Sequence, residues 1–491
     1  MAASTPDPMA TTPDTQSVVL VPLTIASRHH DDAATTEVRD RWTGEVIARV
    51  GVASASQADE AAAACARAFD RTRAMKSYER RDLLRRVAQG IATRGEMLAT
   101  LIAREAGKPI THARAEVARA VSTFELGAEE ATRMGGEVMP LDITAASGAY
   151  SGQWVRVPAG PVMAIAPFNF PLNLVAHKIA PALACGCPVV LKPPPQAPLT
   201  SLALSDILRE AGMPEDAVQV VPCDNAVAEQ LVRDPRFATL SFTGSAKVGW
   251  YLKSVAGKKR VILELGGNAA ALVHDDAKTA WAAERIIAGA FAYAGQVCIK
   301  VQRVYVHRAI ADAFVADLTA RTRALAPMSP LDDKALLGPM IDEANAERVD
   351  AWVTEAEAGG ARALVRGKRE GARLGPTLLA IDGAGAGLKV VEEEVFGPVL
   401  TVHRYDTWDE ALRMADGTRY GLQAGVFTDS SARIREAFAR LHVGGLIVND
   451  TPTFRVDAMP YGGTKDSGFG REGVRFAMEE MTETKLLVVR D

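Results

Sequence analysis

The stretch ATLSFTGSAKVGWYLKSVAGKKRVILELGG, residues 238–267, holds two short β-rich apolar runs, ATLSF (238–242) and RVILEL (260–265). Between them lies a segment of helical length, and Ser245, just after Gly244, is suited to open it. Strand, helix and strand in this order make a βαβ unit, whose two strands run parallel. The same alternation extends on both sides. PVMAIAP (161–167), PVVLK (188–192) and AVQVVP (217–222) precede it, separated by segments such as PLTSLALSDILREAG. QRVYVH, PVLTVHRY, AGVFT and GLIVN follow, between about residues 270 and 450. The prediction is an α/β protein with two parallel sheets, each covered on both faces.

Outside this region the rhythm differs. From about residue 50 to 135 the pattern is helical, with Leu84, Val87, Ala88 and Ile91 on one apolar stripe. GAYSGQWVRVP (148–158) and TKLLVVRD (484–491) read as strands that need a partner outside the two sheets, which points to an oligomer contact. Residues 1–20, rich in Ala, Thr, Pro and Asp, are expected to be a disordered tail, with neither a basic start nor an apolar core for a targeting signal.

Bulk properties narrow the function. The 491 residues exceed one small core, so two or three domains are expected. A net charge of −4 gives no basic field for nucleic acid. No apolar run approaches the roughly 18 residues that span a membrane. Eight scattered histidines fit no zinc spacing, so no metal site is expected. Five cysteines, an odd and sparse set, suit a reducing compartment and hence the cytoplasm. Cys185 and Cys187 read as small buried residues at a helix end.

Four positions carry chemistry. Asn169, in APFNFP, follows a strand end, where parallel sheets gather ligands. Its amide is either an oxyanion donor or an ordinary turn residue. The turn at Gly244, Ser245 and Gly249 either presents helix-start amides to a phosphate or is a plain strand-to-helix turn. Glu264 ends an apolar strand, so it is either a general base with a raised pKa or a carboxylate reaching solvent. Cys298, in FAYAGQVCIK, is either a core thiol or a nucleophile awaiting activation.

Taken together, PFNFP, FTGSAKVG, LELGG, GQVC, EEVFGPV and MPYGGTKDSGFGREG resemble, in order and spacing, the NAD(P)-dependent aldehyde dehydrogenase superfamily, from about residue 35 onward. The wording NFPLNLVAHK and PTFRVDAMPYGG is most similar to lactaldehyde and glycolaldehyde dehydrogenases. The resemblance implies a Rossmann-like cofactor domain over 21–138 and 159–265 and a catalytic α/β domain over 266–465. It also implies a β bridging element over 139–158 and 466–491 that joins subunits into a homodimer or homotetramer.

Carried over by position, Cys298 attacks the aldehyde, and Asn169 with the Cys298 amide holds the oxyanion. Glu264 activates water against the thioester, and Lys178 and Glu472 relay protons. The cofactor, NADP or NAD, is expected along Ile165, Ala166, Pro167 and Phe168, at Lys192 and Pro195, and on the turn of Gly244, Ser245 and Gly249. Leu265, Gly266, Glu394 and Phe396 complete that set. The substrate is expected against Phe170, Asn173 and His177, with Arg119 and Arg455 as partners for an anionic tail.

Two departures sharpen the expectation. Many NAD-preferring relatives carry a glutamate where this chain has Pro195. Either NADP is accepted here, or Pro195 only shapes the turn and NAD dominates. Asn173 and His177 replace larger apolar residues, and a polar wall favours small hydroxylated or charged aldehydes. Small 2-hydroxyaldehydes come first, then anionic aldehydes such as succinate semialdehyde, phosphonoacetaldehyde or glyceraldehyde-3-phosphate. A CoA-acylating relative often lacks the LELGG glutamate, and an inactive scaffold has no need of Cys298, Glu264 and Asn169 together.

Overall fold

The structure, a computed structural model, describes residues 18–490. Its centre is a sheet of five parallel strands: β1 (Val162–Ile165), β2 (Val189–Lys192), β3 (Val218–Val220), β4 (Thr239–Thr243) and β5 (Arg260–Glu264). Their spatial order is β3-β2-β1-β4-β5, and Gly468–Phe469 adds an antiparallel edge to β5. From β1 the chain winds one way through β2 and β3, then returns to the other side for β4 and β5. The switch point therefore lies between β1 and β4, the crevice where open α/β sheets bind ligands.

Both faces of this sheet are covered, which explains why its strands are buried at successive positions and mostly apolar rather than alternating. Helix Ser77–Thr93 buries Leu83, Leu84, Val87, Ala88 and Ile91, the stripe read from the sequence. It packs with Gly95–Ala106, Ile110–Glu130 and α1 (Asn173–Cys185) into one core. α1 is buried at every position and stops at Gly186, whose φ of 88° suits a residue without Cβ. On the opposite face, Ala55–Ala74 starts with a Ser54–Gln57 capping box. α2 (Ala246–Val255) follows β4 there.

A second sheet comprises β6 (Ala270–Val273), β7 (Arg303–His307), β8 (Arg362–Val365), β9 (Thr377–Ala380), β10 (Val399–Tyr405), β11 (Gln423–Phe427) and β12 (Gly445–Val448). The order is β8-β9-β10-β7-β6-β11-β12, parallel except for β8. Both parallel sheets thus match the alternation in the sequence.

The two odd strands, Tyr150–Pro158 and Thr482–Arg490, pair with each other over nine residues, and Gly136–Pro140 completes a third sheet. Their partner is thus found within the chain, while Val138, Leu486, Leu487, Val488 and Val489 remain exposed.

Two pairings cross the expected domain edges. Gly136–Val138, expected in the cofactor domain, pair with Val155, Trp154 and Gln153 of the strand Tyr150–Pro158. Gly468 and Phe469, expected in the bridging element, pair with Glu264 and Leu263 of the central sheet. Of the expected tail, residues 1–17 lie outside the described residues, whereas Val19 and Leu20 pair in parallel with Ala48 and Arg49. Among the described residues, no helix is long and apolar enough to cross a membrane.

One buried carboxylate aligns α1. Glu116 Oε1 accepts from the amides of Leu172 and Asn173, at 2.9 and 3.1 Å, while its other oxygen pairs with Lys108. Both side chains are fully buried. Glu116→Ala leaves an uncompensated ammonium and two free amides, so stability should fall by about 3–5 kcal/mol. Urea denaturation followed by far-UV circular dichroism measures this.

Candidate active site

Register brings the chemistry to one edge. Ile165 of β1 is level with Lys192 of β2 and Phe242 of β4, and Thr243 is level with Glu264 of β5. Ile165, Lys192, Thr243 and Glu264 end their strands, so the segments APFNFP, KPPPQ, FTGS and LELGG leave the sheet side by side.

Cys298 follows a turn in which Tyr293, Ala294 and Gly295 are all left-handed, with φ of 53°, 53° and 65°. A Cβ on Gly295 would lie 2.4 Å from the Gly397 carbonyl oxygen, so only glycine fits. Non-glycine residues in this region are strained and need firm neighbours. The Tyr293 hydroxyl donates to the Ala106 carbonyl at 2.8 Å, and its amide donates to Leu336 at 2.9 Å. The buried Gln296 side chain donates to Pro339 O and accepts from the Ile341 amide. The Asn169 amide donates to Gln296 O at 3.0 Å, tying the post-β1 segment to the cysteine loop and leaving its second N–H uncommitted. Sγ lies 3.1 Å from the Tyr461 hydroxyl. Burial pushes the thiol up to about 11, against the lowering effect of that contact.

Glu264 is buried, and neither carboxylate oxygen has a hydrogen-bond partner among the described residues. Burial, with the charge of Glu472 second, pushes its carboxyl well above the usual range. Lys178 donates from Nζ to Thr243 at 2.7 Å, Ser241 at 3.1 Å and Glu472 at 3.2 Å. Burial would raise Glu472, but the charges of Lys178 and Arg455 outweigh it and hold the group low.

Beside this pair lies a cluster around Asp457. Arg119 closes on it with Nη2 at 2.6 Å and Nε at 3.2 Å, His177 Nε2 lies at 2.8 Å, and Asn173 donates at 3.2 Å. Burial lowers the His177 pKa, aided by Arg455, which favours the neutral ring donating to Asp457. Arg455 stacks its guanidinium 3.6 Å from the Tyr461 ring centroid. Its Nη2 lies 3.4 Å from Glu472, and its buried Nε has no partner. Phe170 sits beneath Lys108 Nζ, 3.5 Å from the ring centroid. Of the two expected anion partners, Arg119 is thus engaged by a carboxylate of the chain itself, and Arg455 keeps a free N–H.

The expected cofactor residues line the same edge. Phe168 meets Phe396, which has a φ of 46°, edge to face at 5.9 Å. Ala166 N–H donates to Lys192 O, and Pro167 continues the segment. Lys192 is buried, and its ammonium has no hydrogen-bond or ion-pair partner among the described residues. Pro195 is the second residue of a turn closed by the Ala197 N–H to Pro194 O bond, and it is exposed. Ser245 precedes α2 without its side chain capping any amide, which leaves the helix start open to an acceptor. Gly244 donates to Glu264 O. A Cβ on Gly249 would meet Leu265 at 2.3 Å, and one on Gly266 would meet Glu394 at 2.1 Å. Glu394 accepts from the Gly267 amide, and burial pushes it to about 7.

Sequence reasoning missed Asp457 and Tyr461 as members of the site. Both signals were within reach. Asp457 stands two residues after Arg455, and Tyr461 is the aromatic of the quoted MPYGG. Among the described residues, no His, Cys, Asp and Glu cluster is arranged to hold a metal.

A doubly wound sheet whose strand-end segments carry a buried carboxyl at Glu264 and an amide at Asn169 bonded to the Cys298 loop defines an α/β protein of the nucleotide-binding type. The model of the aldehyde dehydrogenase family matches residues 28–487, and the chain belongs to that family. It is 42% identical over 454 residues to 3-sulfolactaldehyde dehydrogenase of Priestia aryabhattai, covering 92% of this chain and 94% of the relative. It is 34% identical over 460 residues to lactaldehyde dehydrogenase of Methanococcus vannielii, covering 93% and 97%. The crystal structure of glyceraldehyde-3-phosphate dehydrogenase from Methanocaldococcus jannaschii with NADP superposes with a TM-score of 0.90 at 36% identity. That superposition covers 94% of this chain and all of that one. The chain is therefore an oxidoreductase acting on aldehydes, with the α/β fold of that family.

The paired buried charges give a test with a defined sign. Glu472 is depressed in the folded state, so its contribution is present above the unfolded value of about 4.3 and fades as pH falls toward the lower folded value. The stability advantage of the wild type over Glu472→Gln should be full at pH 6 and smaller at pH 3. Urea midpoints across that range measure it.

Proposed function

We propose that the chain oxidises a small 2-hydroxyaldehyde carrying an anionic tail, such as a sulfonate, to the carboxylic acid, using NADP or NAD. The observation that carries this is Arg455. It is buried beside Cys298's neighbour Tyr461, with one N–H unpartnered. Around it, the cations Lys178, Arg455 and Arg119 face the ionised Glu472 and Asp457, while Glu264 is held toward its neutral form. That imbalance favours an anion. Asn173 and His177 add a polar wall suited to a hydroxyl. The relatives named above act, by name, on lactaldehyde, sulfolactaldehyde and glyceraldehyde-3-phosphate, which are all 2-hydroxyaldehydes, and two are anionic.

The residues also fit a dinucleotide. The unpartnered Lys192 ammonium, the uncapped start of α2 and the aromatic edge of Phe168 suit a ribose, a pyrophosphate and a ring. With proline rather than glutamate at position 195, no carboxylate stands there to repel a 2′-phosphate, and the carboxylate that does reach Lys192 is that of Asp224. When bound, the cofactor accepts hydride at its nicotinamide ring. Cys298, as thiolate, adds to the aldehyde carbon. Its own amide and the second N–H of Asn169 hold the oxygen that becomes negative. After oxidation the acyl group remains on sulfur as a thioester, and Glu264 takes a proton from the water that cleaves it. Lys178 and Glu472 keep that carboxyl in a charged environment through which the proton leaves.

The exposed apolar residues of the third sheet support a homodimer or homotetramer. Five unpaired cysteines support a cytoplasmic setting.

Absorbance at 340 nm with purified protein tests the reading, using NAD or NADP with lactaldehyde, glycolaldehyde, 3-sulfolactaldehyde, glyceraldehyde-3-phosphate and succinate semialdehyde. An anionic hydroxyaldehyde should exceed lactaldehyde in kcat/KM, with NADP at least matching NAD. Arg455→Gln should erase about 10- to 100-fold of that preference, the size of a lost charge-assisted hydrogen bond. Equal rates for neutral and anionic aldehydes would overturn the tail assignment. Strict NAD use would overturn the reading of Pro195. Glu264→Gln should release about one equivalent of reduced cofactor per site and then stall as thioester accumulates, seen as a burst in rapid mixing.

A further inference from the structure

We propose that Tyr461 is a further catalytic residue: its phenolic O–H donates to the Cys298 sulfur and holds the thiolate for attack, with Arg455 stacked behind the ring to strengthen the donor. The role rests on Cys298 being the nucleophile of the proposed reaction.

The geometry allows the phenol little else. Tyr461 is 2% exposed, and its hydroxyl makes a single contact, to Sγ at 3.1 Å. A buried hydroxyl needs a partner, and the ring sits among apolar Ile299, Leu422 and Val297, with Arg455 on its face and the charge of Glu264 also reaching the phenol. The ring cannot swing away easily. The Tyr461 amide donates to Glu472 O at 3.0 Å, and the Glu472 amide donates back at 2.7 Å. Its backbone is thus tied to the residue that pairs with Lys178, while burial and the Arg455 stack hold the ring.

Direction follows from chemistry. A thiolate has no proton and can only accept, whereas a phenol can donate to it. Burial, with the charge of Cys298 second, pushes the phenol well above its usual range, which keeps the proton on its oxygen for donation. The groups whose charges reach the sulfur are Glu394, Arg455 and Glu264, and among them Arg455 is the cation. Its guanidinium over the ring draws electron density from the phenol and makes the O–H a better donor. A merely space-filling aromatic would need neither the hydroxyl nor the cation behind it.

Tyr461→Phe keeps the ring and the Arg455 stack and removes the donor alone. The experiment is the rate of alkylation by iodoacetamide of the full chain as a function of pH, read by mass spectrometry at the Cys298 peptide. The other four cysteines are buried. In Tyr461→Phe the inflection should rise by about one pH unit or more, and alkylation near pH 7.5 should slow about tenfold. Incorporation of a fluorotyrosine at 461, a stronger donor, should move the inflection down. An inflection that is unchanged or lower in Tyr461→Phe, in protein that melts like the wild type, overturns the proposal. If Tyr461→Phe does not fold, the fluorotyrosine protein decides by the same shift.

The aldehyde assay is independent of this readout. Aldehyde oxidation without any shift removes Tyr461 from the mechanism and leaves the function standing. A shift without aldehyde oxidation keeps the thiol–phenol contact and removes the function.

Discussion

The register of β1, β2, β4 and β5 is the constraint on which the rest depends. Each strand is buried on both faces, so slipping one by a residue would exchange its two buried faces and misplace its end. Because Ile165, Lys192 and Phe242 are level, and Thr243 is level with Glu264, the four loops leaving those ends stay together. Glu264, Asn169, the start of α2 and the Lys192 ammonium therefore gather at one edge of the sheet without any of them being sequence neighbours. Lys178 reinforces the register directly, since its ammonium bonds two side chains of β4 and reaches Glu472 near the far end of the chain.

Electrostatics then divides labour among similar groups. Glu264 and Glu472 are both buried carboxyls close enough to affect each other, yet burial dominates the first and nearby cations dominate the second. The first has its proton affinity raised and is suited to change state, while the other is held as a charge. Separating two carboxyls in this way is how a single site can hold a proton acceptor and a counter-ion at once.

Much of this was legible in the sequence, because periodicity and strand ends are local properties. The apolar runs at 161–167, 188–192, 238–242 and 260–265 coincide with strands, and Glu264 and Cys298 stood out through their immediate neighbours. What local pattern does not carry is pairing across distance. Arg119 read as a free cation, because its partner Asp457 lies 338 residues away. The strands at 150–158 and 482–490 read as unpartnered for the same reason. The short parallel pair at Val19–Val21 and Val46–Val52 escaped notice because one of its strands is only three residues long.

The left-handed turn before Cys298 has a consequence for how the protein is made. Its three bracing points are remote from it: the Ala106 carbonyl, the segment at Leu336, Pro339 and Ile341, and Asn169 after β1. Two of these emerge from the ribosome before the cysteine and one after it. A chain interrupted anywhere short of residue 341 lacks part of the brace, so the turn has no reason to adopt its strained shape. The sulfur thus meets its working neighbours only in a nearly finished molecule, and a partly synthesised chain carries an ordinary, unpositioned thiol.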